Sequence, residues 1–395
     1  MKITPKTLKG FRDFLPSQAR KRQYVIEILK KVFESYGFEP LETPTLEYAE
    51  ILEGKYGEEG DLLMYRFEDR GERKVAMRYD QTVPLARVVA ENENTLPMPF
   101  KRYQIQNVFR AENTQKGRFR EFLQCDIDTV GASSIMSDVE ILVVVYSSLN
   151  KLGLKTKIRI NDRAILEGIN PKYLTTIDKL NKIQEVGVLK ELMEERGLEK
   201  IDAEKLLKKV TSMEPTERIV KVMDAFQKMG FSTNDLKYDS TLIRGLDYYT
   251  GIIFEVEIEN YTAGSVGGGG RYDKLIGLFS NTDIPAVGFA FGFDRIIEAM
   301  DELGLFPADL QTTRVLITEN DELATKIASD LRKSGINTEI WLEENTDLGK
   351  KIKYAQKKQI PYVIKFDAQG TIIVGNMKTG KQDVVTEEKL PDVLS

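Results

Sequence analysis

The chain of 395 residues contains no histidine. That absence removes Ser-His-Asp triads, Cys-His pairs, HExxH metal sites and every imidazole general base. A single cysteine, Cys125, leaves no partner for an internal disulfide and points to the cytoplasm. Structural zinc is not expected either, because zinc takes four N or S ligands. The longest apolar run, Ile141 to Tyr146, is far too short to span a bilayer. The opening Met-Lys-Ile-Thr-Pro-Lys carries no apolar signal segment, so no membrane association is expected. Positive charge is not in excess: a net charge of −5 argues against a nonspecific polyanion binder, although a local basic face would suffice for one particular nucleic acid. There is no G-x-x-x-x-G-K-[ST], and Gly267 to Tyr272 fails G-x-G-x-x-G, so phosphates are not expected on a P-loop or a Rossmann turn. An enzyme built from this chain must work through positioning, arginine electrostatics, carboxylates or a carboxylate-held magnesium ion.

The length suits two or three domains, and hydrophobic and charged fractions of 41% and 30% are those of a globular protein. Helical periodicity runs from Ser17 to Tyr36, stops at Gly37, and gives way to the proline-punctuated extended segment Phe38 to Pro44. Residues 161–235 turn lysine- and glutamate-rich with helical spacing, and read as an insertion between two strand-rich parts, 1–160 and 236–305. A second boundary falls near Gly304-Leu-Phe-Pro307. Beyond it, 313–395 alternates strands and helices as a small α/β domain, with 13 Lys+Arg against 13 Asp+Glu.

Five segments carry candidate chemistry. Arg244-Gly-Leu-Asp-Tyr-Tyr-Thr-Gly251 precedes the strand-like Ile252 to Ile258, and Gly267-Gly-Gly-Gly-Arg-Tyr-Asp273 follows on the next pass. The arginine offers a planar fork to phosphate or carboxylate, the tyrosines offer aromatic walls with hydroxyl handles, and the glycines admit a close backbone or ligand. Tyr103 to Glu112 and Arg118 to Val130 read as antiparallel strands joined by a turn at 113–117. On the second strand, alternation puts Arg118, Arg120, Phe122, Gln124, Asp126 and Asp128 on one face, and Phe119, Leu123, Cys125 and Ile127 on the core side. A lone phenylalanine among arginines and acids is unusual on a wet face. Met77-Arg-Tyr-Asp-Gln-Thr-Val-Pro84 reads by itself as a capped turn before a helix, and Ala286 to Arg295 as a glycine-containing strand entering a helix.

The two glycine-rich signatures resemble those peculiar to histidyl-tRNA synthetases, a class II aminoacyl-tRNA synthetase family, and the resemblance covers nearly the whole chain. It implies an α+β catalytic domain built on the class II antiparallel sheet, a helical insertion, and a C-terminal α/β anticodon-binding domain. It also implies a homodimer, and ATP, L-histidine and tRNA(His) as partners. In the segment resembling the second class II motif, Arg110 would contact the α-phosphate and the amino-acid carboxylate, and Glu112 the adenine edge. Phe122 would stack on the ring, and Arg118 would meet the γ-phosphate. Asp80 and Thr82 would accept from the substrate ammonium group, with Gln81 at a variable position of that histidine-binding segment. Gln124, Asp128, Tyr248 and Tyr249 would hold the histidine, and Arg295, in the third motif, would sit over adenine and the γ-phosphate. Arg244 would replace, at the α-phosphate, the magnesium ion that other class II enzymes place there; magnesium would stay on the β- and γ-phosphates. The turn Lys365 to Gly370 is shorter than the family's. A paralogous noncatalytic subunit that regulates ATP phosphoribosyltransferase shares this catalytic fold, but typically lacks the anticodon domain and loses the activating arginines.

Overall fold

The computed structural model describes residues 3–113, 119–243, 248–308, 310 and 312–394. It divides into two compact units, one holding residues 21–306 and those before 16, the other residues 307–395 with 16–20.

The large unit is organised by an eight-stranded sheet. Its strands are β1 (Glu39–Pro40), β5 (Phe100–Phe109), β6 (Glu121–Val130), β7 (Thr156–Asp162), β8 (Leu236–Tyr238), β9 (Ile252–Ile258), β10 (Gly267–Arg271) and β11 (Ala286–Phe291). They lie in the order β1-β5-β6-β11-β10-β9-β7-β8. The six central strands are antiparallel, and the short edge strands β1 and β8 pair parallel to β5 and β7. A separate three-stranded sheet of β2 (Leu46–Tyr48), β3 (Arg66–Glu68) and β4 (Lys74–Met77) precedes the helix Thr82–Glu91.

One face of the large sheet is sealed by helices. Pro16–Ser35 buries Val25, Leu29 and Phe33, the last against Tyr103 and Phe291. Ile135–Lys151 is apolar on nearly every side because it lies in the middle of this core. The glycines of β10 are required by close packing: a Cβ on Gly269 would lie 2.0 Å from the Gly288 carbonyl oxygen, and one on Gly270 2.5 Å from that of Ile252.

The lysine- and glutamate-rich stretch is helical, but it does not behave as one body over 161–235. Leu166, Leu174, Ile177, Val188, Leu192, Ala203, Leu207 and Val210 form their own small core. The helix Glu217–Lys228 instead turns Ile219, Val222 and Phe226 into the core of the large sheet. Its sequence carries a clean apolar stripe; only the partner of that stripe was invisible from the chain.

The small unit holds strands β12 (Val315–Ile317), β13 (Thr338–Ile340), β14 (Tyr362–Phe366), β15 (Ile372–Asn376) and β16 (Gln382–Val384), in the order β13-β12-β14-β15-β16. The helix Glu322–Lys333 packs Ala324, Ile327, Ala328 and Leu331 into its core. Lysine-rich Leu348–Lys358 starts at Asp347, whose carboxylate accepts from the Gly349 and Lys350 amides at 2.9 and 3.2 Å. Among the described residues, no helix is long and apolar enough to cross a membrane.

Candidate active site

A cavity of about 810 Å³ opens over β6, β10 and β11 on the face away from the helices. Side chains reach it because β6 alternates: Phe122, Gln124, Asp126 and Asp128 line it, while Cys125 and Ile127 are buried in the core. Gly267, Gly268 and Gly288 contribute bare backbone to the wall. The alternation breaks at the start of the strand, since β6 begins at Glu121 rather than at Arg118. Phe119, expected on the core side, lines the cavity instead, with the Arg12 guanidinium 3.2 Å above its ring.

At one part of the wall, Asp80 Oδ1 accepts from the Tyr56 hydroxyl at 2.7 Å and from the Val83 amide at 3.1 Å. Its Oδ2 is buried with no hydrogen-bond partner among the described residues. Burial pushes the Asp80 carboxyl up, against the pull of the Tyr56 hydrogen bond. Tyr56 is pushed well up in turn, by burial and then by the Asp80 charge. Thr82 and Tyr248 both line the cavity. Arg110 Nε donates to the Tyr79 carbonyl at 3.0 Å, which fixes the guanidinium 4.4 Å above the Tyr79 ring and 5.2 Å from that of Phe122.

Along β6 the carboxylates deepen. Gln124 Nε2 donates to Asp126 Oδ2 at 2.6 Å, while Gln124 Oε1 and Asp126 Oδ1 are buried with no hydrogen-bond partner among the described residues. Asp128 accepts from the Tyr272 hydroxyl and faces the fully buried Arg102, whose Nη2 lies 2.7 Å from Oδ2. That second contact is charge against charge rather than an aligned hydrogen bond. Burial drives Asp126 well up and Asp128 up, and the Arg102 charge opposes both shifts. Tyr248 packs edge-on against Tyr249 and Tyr272, with ring centroids 5.0 and 5.8 Å apart. Arg295 Nη1 donates to the Ser265 carbonyl at 2.6 Å.

The structure thus brings Asp80, Thr82, Arg110, Glu112, Phe122, Gln124, Asp128, Tyr248, Tyr249 and Arg295 to one cavity. Gln81 is not brought there. Its side chain is fully buried, and its amide group donates to the Gln106 and Gln124 carbonyls at 2.9 and 3.2 Å, tying the helix entrance to β5 and β6. Arg244 and Arg118 lie outside the described residues. Of the second glycine signature, Tyr272 faces the cavity, but Arg271 turns away to Asp138, at 2.6 and 2.8 Å, and to Ser137. Sequence reading missed Tyr56 and Tyr79, which sit in short irregular segments, and Arg102, which precedes the strand read from Tyr103 but lies within β5.

An antiparallel sheet that carries arginines and acids over a cavity, in a chain with no P-loop, is the arrangement that the resemblance to class II aminoacyl-tRNA synthetases implies. The sequence profile of histidyl-tRNA synthetases matches residues 10–296, and that of an anticodon binding domain matches 312–395. The chain belongs to the histidyl-tRNA synthetase family. It is similar to a histidine–tRNA ligase of Christiangramia forsetii, at 40% identity with 91% of each chain covered. It is also similar to one of Aeropyrum pernix, at 42% identity over 86% of this chain and 85% of the relative. The crystal structure of histidyl-tRNA synthetase from a Nostoc species superposes with a TM-score of 0.83 at 29% identity, covering 100% of this chain and 99% of that one.

Proposed function

We propose that the protein is a histidine–tRNA ligase: ATP and L-histidine give histidyl-adenylate and pyrophosphate, and the histidyl group then passes to the terminal ribose of tRNA(His). The observation that carries the reading is the juxtaposition, in one cavity, of buried acceptors that lack donors among the described residues with an arginine fork beside an aromatic ring. Asp80 Oδ2, Gln124 Oε1 and Asp126 Oδ1 call for a ligand rich in N–H groups. Histidine supplies them through its ammonium group and its ring. Arg110, oriented by Tyr79, suits the carboxylate and the α-phosphate, where a planar fork pairs bidentately. Phe122 gives adenine a face, Glu112 its edge, and Arg295 and Arg118 the outer phosphate.

Six acidic side chains against two arginines line the cavity among the described residues, so the nucleotide must bring countercharge with it. Magnesium fits that need. It would come with the β- and γ-phosphates and would screen the leaving pyrophosphate. When the substrate carboxylate attacks the α-phosphorus, Arg244 faces the charge growing on the phosphate oxygens. The C-terminal domain takes the anticodon arm, which weighs against the regulatory-subunit alternative, and the active species is a homodimer in the cytoplasm.

The test is ATP–pyrophosphate exchange with each amino acid in turn. Exchange with histidine alone is expected, and a folded sample that exchanges with none overturns the ligase reading. Arg244→Ala should slow single-turnover adenylate formation by about 10²–10³, taking a lost oxyanion donor as the yardstick.

A further inference from the structure

Residues Phe11 to Leu15 form neither helix nor strand, yet the segment is fastened to the rim of the cavity. The Gly10 carbonyl accepts from the Arg120 amide at 2.9 Å, which lays the segment beside the entry to β6, and Phe11 meets the Tyr65 ring edge-on with centroids 6.4 Å apart. From there a chain of contacts alternates rings and cations. The Arg12 guanidinium lies 3.2 Å over Phe119 and 4.8 Å from Phe14. The Arg22 guanidinium, on the helix Pro16–Ser35, lies 4.0 Å from Phe14 and 4.9 Å from Phe293. Asp294 takes both cations: Arg12 Nη2 donates to Oδ2 at 2.6 Å, and Arg22 Nη1 donates to Oδ1. Arg12 Nε is buried with no hydrogen-bond partner among the described residues, so flat stacking as well as hydrogen bonding holds this guanidinium.

The two ends of this stack are walls of the cavity. Phe119, Phe293 and Asp294 line it, on the approaches to Phe122 and Arg295, whereas Arg12, Phe14 and Arg22 stand outside it. The sheet itself does not join these walls. β11 pairs with β6 only as far as Phe291 and Cys125, so the part of β6 that carries Phe122 runs on beside β5, while the chain after Gly292 turns into the helix Phe293–Glu302. The width between the walls is set by side chains, and the stack spans it.

We propose that Arg12 is a positioning residue for the nucleotide. With Phe14 and Arg22 it fixes the spacing between the Phe119–Phe122 side and the Phe293–Arg295 side, so that ATP meets both walls at once. The assignment rests on the ligase reading, in which adenine lies against Phe122 and Arg295 reaches the outer phosphate. A guanidinium suits the place because its plane stacks on Phe119 while its edge pairs with Asp294; an ammonium pairs with the carboxylate but offers no plane. A wall displaced by about 1 Å can cost about 10²-fold, even when the change lies away from the chemistry. The substrate that bridges the walls feels the change, and histidine, held at the Asp80 end, does not.

The experiment varies ATP and histidine separately in pyrophosphate exchange, beside thermal melts, for wild type, Arg12→Ala, Arg12→Lys and Phe14→Leu. Arg12→Ala should raise the ATP KM about tenfold and Phe14→Leu, which removes the ring between the cations, about 2–5-fold, with the histidine KM within about twofold in each. Arg12→Lys should melt with wild type, because Asp294 keeps both positive partners, and should still show the raised ATP KM. If Arg12→Ala does not fold, the lysine and leucine variants carry the test. A wild-type ATP KM in either of those two, or ATP and histidine KM rising in step, overturns the assignment and leaves the segment a fastening of the fold. Wild type that exchanges with no amino acid removes the ligase reading instead.

Discussion

Arg102→Leu tests whether one buried cation holds the floor of the cavity together. Arg102 is fully shielded from solvent and faces Asp128 at 2.7 Å, with Gln104 Oε1 accepting at 3.2 Å and the Gln81 carbonyl at 3.4 Å. Leucine keeps the apolar stem but leaves Asp128 with Tyr272 alone and Asp126 with Gln124 alone. Removing one partner of a buried pair costs about 3–5 kcal/mol. For a unit of about 300 residues, unfolding entropy of about 2.1 cal/mol/K per residue converts this to a melting deficit of about 5–8 °C. The deficit should depend on pH. Burial already raises both aspartates in the folded state and Arg102 opposes that rise, so its loss lifts them further. A carboxyl raised on folding takes up a proton as the chain folds. Its contribution is complete below the ordinary carboxylate range, about pH 4, and drains away as the pH climbs through the folded value. The gap between variant and wild type should therefore be widest near pH 8 and narrow toward pH 5. Calorimetric melts across that range provide the assay. A variant that melts with wild type, or a deficit indifferent to pH, refutes the role given to Arg102.

Other perturbations reach different parts of the molecule. Tyr56→Phe deletes the hydroxyl 2.7 Å from Asp80 Oδ1 and should raise the histidine KM by the equivalent of about 1–3 kcal/mol with the ATP KM flat; equal movement of both would mean that Tyr56 serves the fold. Gly269→Ala places a methyl 2.0 Å from the Gly288 carbonyl, so β10 and β11 must part. A loss of at least about 1–3 kcal/mol in a denaturant titration is expected, and wild-type stability would contradict the packing described. Deleting 313–395 should leave adenylate formation largely intact while charging weakens, and full-length tRNA binding should fall steeply with salt; equal charging by both proteins would remove the role given to this domain.

Where local pattern and tertiary environment agreed, the sequence was readable. The apolar run from Ile252 to Ile258 is β9, and the periodicity from Ser17 to Tyr36 is the helix Pro16–Ser35. Alternation along β6 placed Phe122, Gln124 and Asp128 together, and they share the cavity. What it could not supply was the partner. Asp126 and Asp128 differ through their partners: Gln124 donates to the first, while Arg102, from β5, and Tyr272, from just beyond β10, contact the second. Gln81 lies between two cavity residues in sequence yet faces β5 and β6, because the chain enters a helix at Thr82 and successive side chains diverge. Tyr56, in a turn with neither period, gave no signal. The helix Glu217–Lys228 followed its own stripe correctly, but the choice between two neighbouring cores depends on where β7 and β8 bring the chain back.

Ile243 precedes Arg244, and its side chain is buried in the small core of the helical insertion rather than in that of the catalytic sheet. Its amide donates to Asp178 Oδ1 at 2.9 Å, on the same insertion. The strand before this point and the strand after it are both fastened to the large sheet. The insertion therefore grips the chain at Ile243, through a buried side chain and a backbone hydrogen bond. A load on the helices is delivered to the backbone at that residue without passing through the sheet. Whatever docks on this insertion therefore bears on the backbone at Ile243 through a hydrogen bond and an isoleucine outside the cavity.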